Sequence, residues 1–229
     1  MVRGPVRWPR PPVGPARPGA CRPPIQPREG LATLVLHVEP DEARSESYSG
    51  AAPCRGIPAA LPVIVARQAL DRWCWAAIGA AIAGYYRGSA PTQEAVASAL
   101  LGFDCSSWAA DGALGARCDV PAMLDEVLSA LDCFSHWSPG RPTLDRLAAE
   151  IGAGRPLAVA IDWRGGGGHY AVVLGCHPER GEIDVADPLH GPSVQRYASF
   201  PRDYRGGGYW RGTYWTAAPR GWPGQGVMV

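Results

Sequence analysis

Four polar residues of this chain are of the types that catalyse acyl transfer, and they follow one another in the order Gln68, Cys74, His169 and Asp187. A cysteine thiolate attacks a carbonyl carbon, and a histidine moves the proton. A carboxylate can orient the histidine, and an amide can donate to the oxyanion that develops. The set predicts a reaction through a thioester on Cys74.

Cys74 lies between two tryptophans at the start of an apolar, alanine-rich stretch, CWAAIGAAIAGYY. The spacing predicts a helix from about residue 72 to 86, with Asp71 as its N-cap and Gly88 at its end. Unpaired N–H groups and the helix dipole favour a thiolate at that position. This stretch alone is equally consistent with a small apolar cysteine in a buried helix.

His169 follows a run of four glycines and opens a predicted strand, HYAVVLG, while Asp187 ends the next predicted strand. In an antiparallel hairpin the start of one strand lies beside the end of the next, so Asp187 can reach His169. Gln68 lies six residues before Cys74 and could donate to an oxyanion together with the Cys74 backbone N–H. Taken singly, His169 could be an ordinary half-buried residue and Asp187 a turn residue.

Composition excludes several classes of function. The chain contains no lysine, which rules out Schiff-base chemistry and a phosphate-loop lysine. Residues 1–30 contain six arginines and one acid, whereas the net charge of the whole chain is only +1. The rest of the chain is therefore net negative, which argues against a nucleic-acid partner for it. No apolar stretch reaches the roughly 18 residues of a membrane span, and no cysteine–histidine spacing indicates zinc. We expect neither a metal nor another cofactor.

Composition also divides the chain. Residues 1–58 are rich in proline and arginine and are expected to be a largely disordered extension. One short strand is expected within it, at Leu31–Leu36. A removable prosegment is one hypothesis for its role. Residues 59–218 form the predicted catalytic domain, expected to be a monomer, and 219–229 a tail. The extension lacks the apolar core of a classical signal peptide, so the localisation stays open, secretion by another route included.

Helical patterns come first and strand patterns second, which is typical of an α+β fold with an antiparallel sheet. The predicted site lies in a cleft between helix 74–86 and the sheet. We expect an irregular loop over 103–120 and a polar loop around His136. The other expected helices are 92–101, 119–131 and 143–152. The expected strands are 156–161, 169–175, 182–187, 194–200 and 209–216.

Seven cysteines leave at least one free if the others pair within the chain. Cys105, Cys118 and Cys133 lie in one region of the helical half, where we expect a disulfide whose pairing the sequence does not specify. Free buried thiols are the alternative.

Several motifs in a fixed order resemble the papain-like cysteine peptidases over residues 60–217. They are WCWAA in a helix ending in YY, TQ opening the next helix, GGGGHYAVV, VADP and GGGYWRGTYWT. The closer resemblance is to the compact bacterial branch with the C39-like peptidase fold, which includes secreted effectors. It implies a helical half packed against an antiparallel sheet, and hydrolysis of a peptide or protein substrate.

The resemblance also implies roles for the four residues. Cys74 would be the nucleophile, His169 the base and then the acid, Asp187 the residue that orients it, and Gln68 the oxyanion donor. Two departures stand out. Asp-Arg-Trp precedes Cys74 where the plant and animal enzymes have Cys-Gly-Ser, and an aspartate replaces the asparagine that orients their histidine.

Two alternatives remain at this stage. A transglutaminase-like acyl transferase or amidase also uses cysteine, histidine and aspartate, although Gln68 favours the peptidase. A catalytically silent binding module would be expected to lack one of the four groups. Trp163, Tyr170 and Trp210 are candidates either for the cleft wall or for an aromatic core.

Overall fold

The computed structural model of this chain describes residues 60–220. The predicted strand Leu31–Leu36, the N-terminal extension and all but two residues of the predicted tail lie outside them. The helices are α1 (Cys74–Arg87), α2 (Gln93–Leu101), α3 (Gly112–Cys118), α4 (Leu124–Ala130), α5 (Leu144–Gly152) and α6 (Phe200–Asp203). The strands are β1 (Phe134–Pro139), β2 (Leu157–Trp163), β3 (Gly168–His177), β4 (Glu182–Asp187), β5 (Gly191–Arg196) and β6 (Gly208–Thr216).

The six strands form one sheet in the order β1-β6-β2-β3-β4-β5, with every neighbouring pair antiparallel. This confirms the predicted α+β class and the antiparallel sheet. In the β3–β4 pair, Val172 lies opposite Ala186. One step further along this register, Asp187 faces the position of Ala171. His169 is two residues beyond Ala171 on the same face, within reach of the carboxylate.

Helix α1 is apolar almost all round because it is covered on several sides, by α2, α4 and β3. It ends at Gly88, whose φ of 74° is the left-handed conformation that glycine adopts most easily. The prediction that Asp71 caps the helix was wrong. The N-cap is Trp73, without a side-chain hydrogen bond, and Asp71 instead contributes its carbonyl oxygen to a turn.

The loop predicted over residues 103–120 contains helix α3, which the sequence analysis missed. The Asp111 carboxylate accepts hydrogen bonds from the first N–H groups of α3, at Ala113 and Leu114. Seven residues with two glycines give too weak a periodicity to be recognised. The following helix was predicted from residue 119, but α4 begins at Leu124.

The polar loop predicted around His136 is also wrong, since this segment is the edge strand β1, paired with β6. Most of its side chains are exposed, so apolar alternation is absent, and His136 stacks on Trp215 with ring centroids 5.2 Å apart. The strand predicted over 194–200 ends at Arg196 and is followed by the short helix α6.

A disulfide joins Cys105 to Cys118, which confirms the predicted disulfide and settles its pairing. Among the described residues Cys74, Cys133 and Cys176 are free and buried. The loop closed by this disulfide also holds the start of α1. The Trp73 indole donates to the Cys118 carbonyl (2.7 Å), and the Arg72 backbone N–H donates to the Asp119 carboxylate (2.8 Å).

Replacing Cys105 and Cys118 together by alanine is expected to lower the free energy of unfolding by about 3 kcal/mol, because the cross-link restricts the unfolded chain. The bridge spans 13 residues. Urea unfolding without reductant measures the difference. As a control, reductant should lower the stability of the native sequence and leave that of the double variant unchanged. Equal stability of the two proteins without reductant would contradict this expectation.

Candidate active site

Cys74 is the first residue of α1, and only 4% of its surface is exposed. The first i→i−4 bond of the helix is that of Ala77 to Trp73, so the N–H groups before it, that of Cys74 included, have no partner within the helix. The two flanking indoles fix the backbone, since Trp73 donates to Cys118 and Trp75 to the Val120 carbonyl (2.9 Å). The sulfur is therefore held at the positive end of a helix whose start is anchored on both sides.

The His169 imidazole lies between Cys74 and Asp187. Its Nε2 is 2.8 Å from the Asp187 Oδ1, and its side chain is also hydrogen-bonded to the Cys74 sulfur. Because Nε2 contacts Asp187, Nδ1 is the ring nitrogen left for the sulfur. The glycine run before His169 forms the turn between β2 and β3, where Gly166 and Gly167 have φ near 90°.

Asp187 is buried, and both of its carboxylate oxygens are hydrogen-bonded. Besides His169, Oδ1 accepts from the backbone N–H groups of Leu189 (2.7 Å) and His190 (2.9 Å). Oδ2 accepts from the Tyr204 hydroxyl at 2.7 Å. Four donors thus hold one carboxylate in a single orientation against the imidazole.

These contacts determine the protonation of the pair. Burial lowers the pKa of His169, but hydrogen bonds to Asp187 and Cys74 and the charges of both outweigh it, so the pKa is raised. Burial raises the pKa of Asp187, yet the hydrogen bond and charge of His169, with smaller contributions from Tyr204 and His190, lower it. At neutral pH the pair is an imidazolium and a carboxylate.

Gln68 is joined to this group through the turn that follows Asp187, because its backbone N–H donates to the Pro188 carbonyl at 2.9 Å. Its buried side chain donates from Nε2 to the carbonyls of Leu70 (3.0 Å) and Asp71 (2.7 Å). Within the described part of the chain the Oε1 has no hydrogen-bond partner. Both amide hydrogens therefore shape the turn before α1 in this structure.

The structure thus brings Cys74, His169 and Asp187 into one chain of contacts and joins Gln68 to them through the backbone. Sequence reasoning missed Tyr204, which nothing in its local sequence connects with Asp187. It also missed His190, whose exposed ring lies 6.0 Å from that of His169.

The three aromatic candidates for the cleft wall separate clearly. Trp163 lies beside the site, with ring centroids 6.1 Å from His169 and 6.2 Å from Tyr204. Tyr170, on β3, is buried in the apolar cluster that includes residues of α1. Trp210, on β6, is buried in a second apolar cluster.

Two further findings concern only residues 60–220. No cluster of three or more histidine, cysteine or acidic side chains there is arranged to hold a metal ion. None of the helices in that range combines the length and apolar character needed to cross a membrane.

Comparison with known proteins places the chain in a family. Residues 58–205 match the model of the family described as papain-like cysteine protease AvrRpt2. A search of curated proteins found no significant match. The matched region covers well over half of the chain and includes Gln68, Cys74, His169 and Asp187. The chain belongs to the AvrRpt2 family of papain-like cysteine proteases and is a hydrolase that acts on peptide bonds.

Proposed function

We propose that Cys74 is the nucleophile of this protease, that His169 is its general base and then acid, and that Asp187 orients the imidazole. The observation that carries the proposal is the continuous contact from the Cys74 sulfur through His169 to the Asp187 Oδ1. The three side chains are all buried, with 3% to 5% of their surface exposed. This is the arrangement that a cysteine nucleophile with a histidine base requires.

The reaction then proceeds in two halves. The Cys74 thiolate attacks the scissile carbonyl carbon, and the carbonyl electron pair moves to oxygen. As the oxyanion collapses, the C–N bond breaks and the His169 imidazolium gives its proton to the leaving amine. A thioester remains on Cys74. Neutral His169 next takes a proton from water as the water oxygen attacks the thioester carbon. The C–S bond then breaks and the acid leaves, which restores the Cys74 thiolate and the His169 imidazolium.

The oxyanion is stabilised in this proposal by the backbone N–H of Cys74 and the side-chain amide of Gln68. The first N–H groups of α1 have no partner within the helix, which supports the first donor. Gln68 can donate to substrate if Nε2 exchanges one of its two carbonyl contacts, of which the one to Leu70 is the longer. The Pro188 contact keeps Gln68 on the side of the catalytic pair during that exchange.

A peptide or protein is the substrate, and residues 59–218 act as a monomer without nucleic acid. No observation favours an acyl transferase, an amidase or a silent binding module over hydrolysis. The family match names the AvrRpt2 proteases and does not support the finer resemblance to the C39-like branch.

Alkylation of each cysteine by iodoacetamide, followed by mass spectrometry from pH 5 to 10, tests the proposed nucleophile. A free thiol with the usual pKa of about 8.5 is only roughly 0.3% ionised at pH 6. We expect Cys74 to react readily at pH 6, because its sulfur lies at the N-terminus of α1 and beside the His169 imidazole. His169→Ala should slow that reaction by roughly 100-fold.

The protein contains its own controls. Burial raises the pKa of both Cys133 and Cys176 to about 11, so these thiols should stay unmodified at pH 6. His177→Ala is the matched variant, because His177 lies on the same strand and pairs with Asp184 at 2.9 Å. It should leave Cys74 unaffected. If Cys74 reacts no faster than in the unfolded protein, or equally without His169, the proposed nucleophile is wrong.

A further inference from the structure

Tyr204 is a buried aromatic residue whose hydroxyl donates to the Asp187 Oδ2. We infer that Tyr204 is a positioning residue of the protease, which fixes the carboxylate so that the other oxygen meets His169. This inference rests on the proposed roles of Cys74, His169 and Asp187. It adds a fourth member to the chain of contacts, supplied by the segment that follows α6.

The two carboxylate oxygens of Asp187 have different partners. Oδ1 receives His169 and two backbone N–H groups, whereas Tyr204 is the side-chain donor to Oδ2. Without this hydroxyl one oxygen of a buried carboxylate would lose a strong, charge-assisted hydrogen bond. The carboxylate could then rotate about its Cβ–Cγ bond, and Oδ1 would interact less strongly with the imidazolium.

The Tyr204 ring is itself held firmly. Phe200 packs edge-on against it with centroids 4.6 Å apart, and Trp163 stacks on it at 6.2 Å. The Arg205 guanidinium lies 5.5 Å from its centroid. The Tyr204 backbone also pairs with Gly208 at the start of β6. The hydroxyl therefore has little freedom to move away from Asp187.

The hydroxyl remains a donor at every pH at which the enzyme could work. Burial, followed by the charge and hydrogen bond of Asp187, raises the pKa of Tyr204 well above its usual value. Tyrosinate therefore does not form beside the carboxylate in the working range. The role assigned to Tyr204 is to orient Asp187 and not to transfer a proton.

Tyr204→Phe tests the inference because it removes only the hydroxyl and keeps the packed ring. We expect kcat on a cleaved peptide to fall about tenfold while KM changes little. We also expect the alkaline limb of the kcat/KM profile to move to lower pH, since a loosely held carboxylate stabilises the imidazolium less. A merely structural defect would lower the fraction of active enzyme equally at all pH values and leave the shape of the kcat/KM profile unchanged.

Tyr85→Phe is the matched control, because the Tyr85 hydroxyl also donates within the fold, to the Gly154 carbonyl at 3.0 Å. It should leave both kcat and the pH profile unchanged. A double-mutant cycle with Asp187→Asn completes the test. If Tyr204 acts through Asp187, removing its hydroxyl costs less in the Asp187→Asn variant than in the native protein.

The outcomes separate the inference from the proposed function. Suppose that the native protein cleaves peptide and Cys74→Ala does not. The inference is then overturned if Tyr204→Phe keeps the native pH profile of kcat/KM and its effect is additive with that of Asp187→Asn. If Cys74→Ala cleaves as well as the native protein, the proposed function itself fails. Should Tyr204→Phe not fold, 3-fluorotyrosine at position 204 keeps the ring and strengthens the donor. A stronger donor to Oδ2 withdraws charge from the carboxylate that faces His169, so the alkaline limb should then move to lower pH, and an unmoved limb would overturn the inference.

Discussion

Replacing Cys74 by serine is expected to lower kcat/KM for peptide hydrolysis by about 10⁴-fold or more, close to complete loss. The geometry around residue 74 would survive, because the change replaces only sulfur by oxygen in a buried position. A serine hydroxyl ionises far less readily than a thiol, and a histidine that is already protonated cannot accept its proton. The raised pKa of His169, which suits a thiolate, makes the site a poor serine protease.

The measurement uses the best substrate from a peptide library, with cleavage products identified by mass spectrometry. Cys176→Ser is the matched control, since Cys176 is also buried, on β3, and its sulfur is hydrogen-bonded to the Leu144 backbone carbonyl at 3.8 Å. It should retain near-native kcat/KM. Residual activity above about a tenth of the native value in Cys74→Ser would show that another residue carries the chemistry.

Two substitutions at Asp187 are expected to differ sharply. Asp187→Ala should lower kcat/KM by about 10²- to 10³-fold, because the imidazole loses its partner on Nε2. Asp187→Asn should stay within about tenfold of native at its optimum. The backbone N–H groups of Leu189 and His190 converge on Oδ1, so the asparagine must place its carbonyl oxygen there and can still accept from His169.

The pH profile distinguishes hydrogen bonding from charge. The alkaline limb follows deprotonation of His169, whose pKa is raised to about 9, in part by the charge and hydrogen bond of Asp187. Asparagine keeps the hydrogen bond and removes the charge, so in Asp187→Asn this limb should move to lower pH. Asp184→Asn is the control, because it alters the similar pair with His177 on the same two strands. If Asp187→Asn is as impaired as Asp187→Ala, the negative charge itself is essential.

The sequence could predict those parts of the site that depend on local patterns. An alanine-rich helix start places Cys74, a glycine turn opens the strand of His169, and a short hairpin returns to Asp187. The cap at Asp71 was predicted wrongly because residues 71–73 form a turn, held by the Gln68 side chain, and the helix begins only at Cys74.

Features that depend on tertiary packing could not be predicted. The edge strand β1 has mostly exposed side chains, so its pairing with β6 leaves no apolar alternation in the sequence. The Tyr204 hydroxyl meets Asp187 only because α6 packs back onto β6, which no local motif indicates. The same is true of the carbonyls of Cys118 and Val120, which receive the two indoles beside Cys74.

The strand order has a consequence for the biosynthesis of this protease. Strand β6 is translated after every other described strand, yet it lies between β1 and β2, next to the pair that carries His169. Neither neighbour can complete its pairing until residue 216 has been made, although all four proposed site residues are already present by residue 187. A nascent or prematurely terminated chain therefore holds the four proposed site residues without the completed sheet. We expect proteolytic activity only when translation of the domain is almost finished.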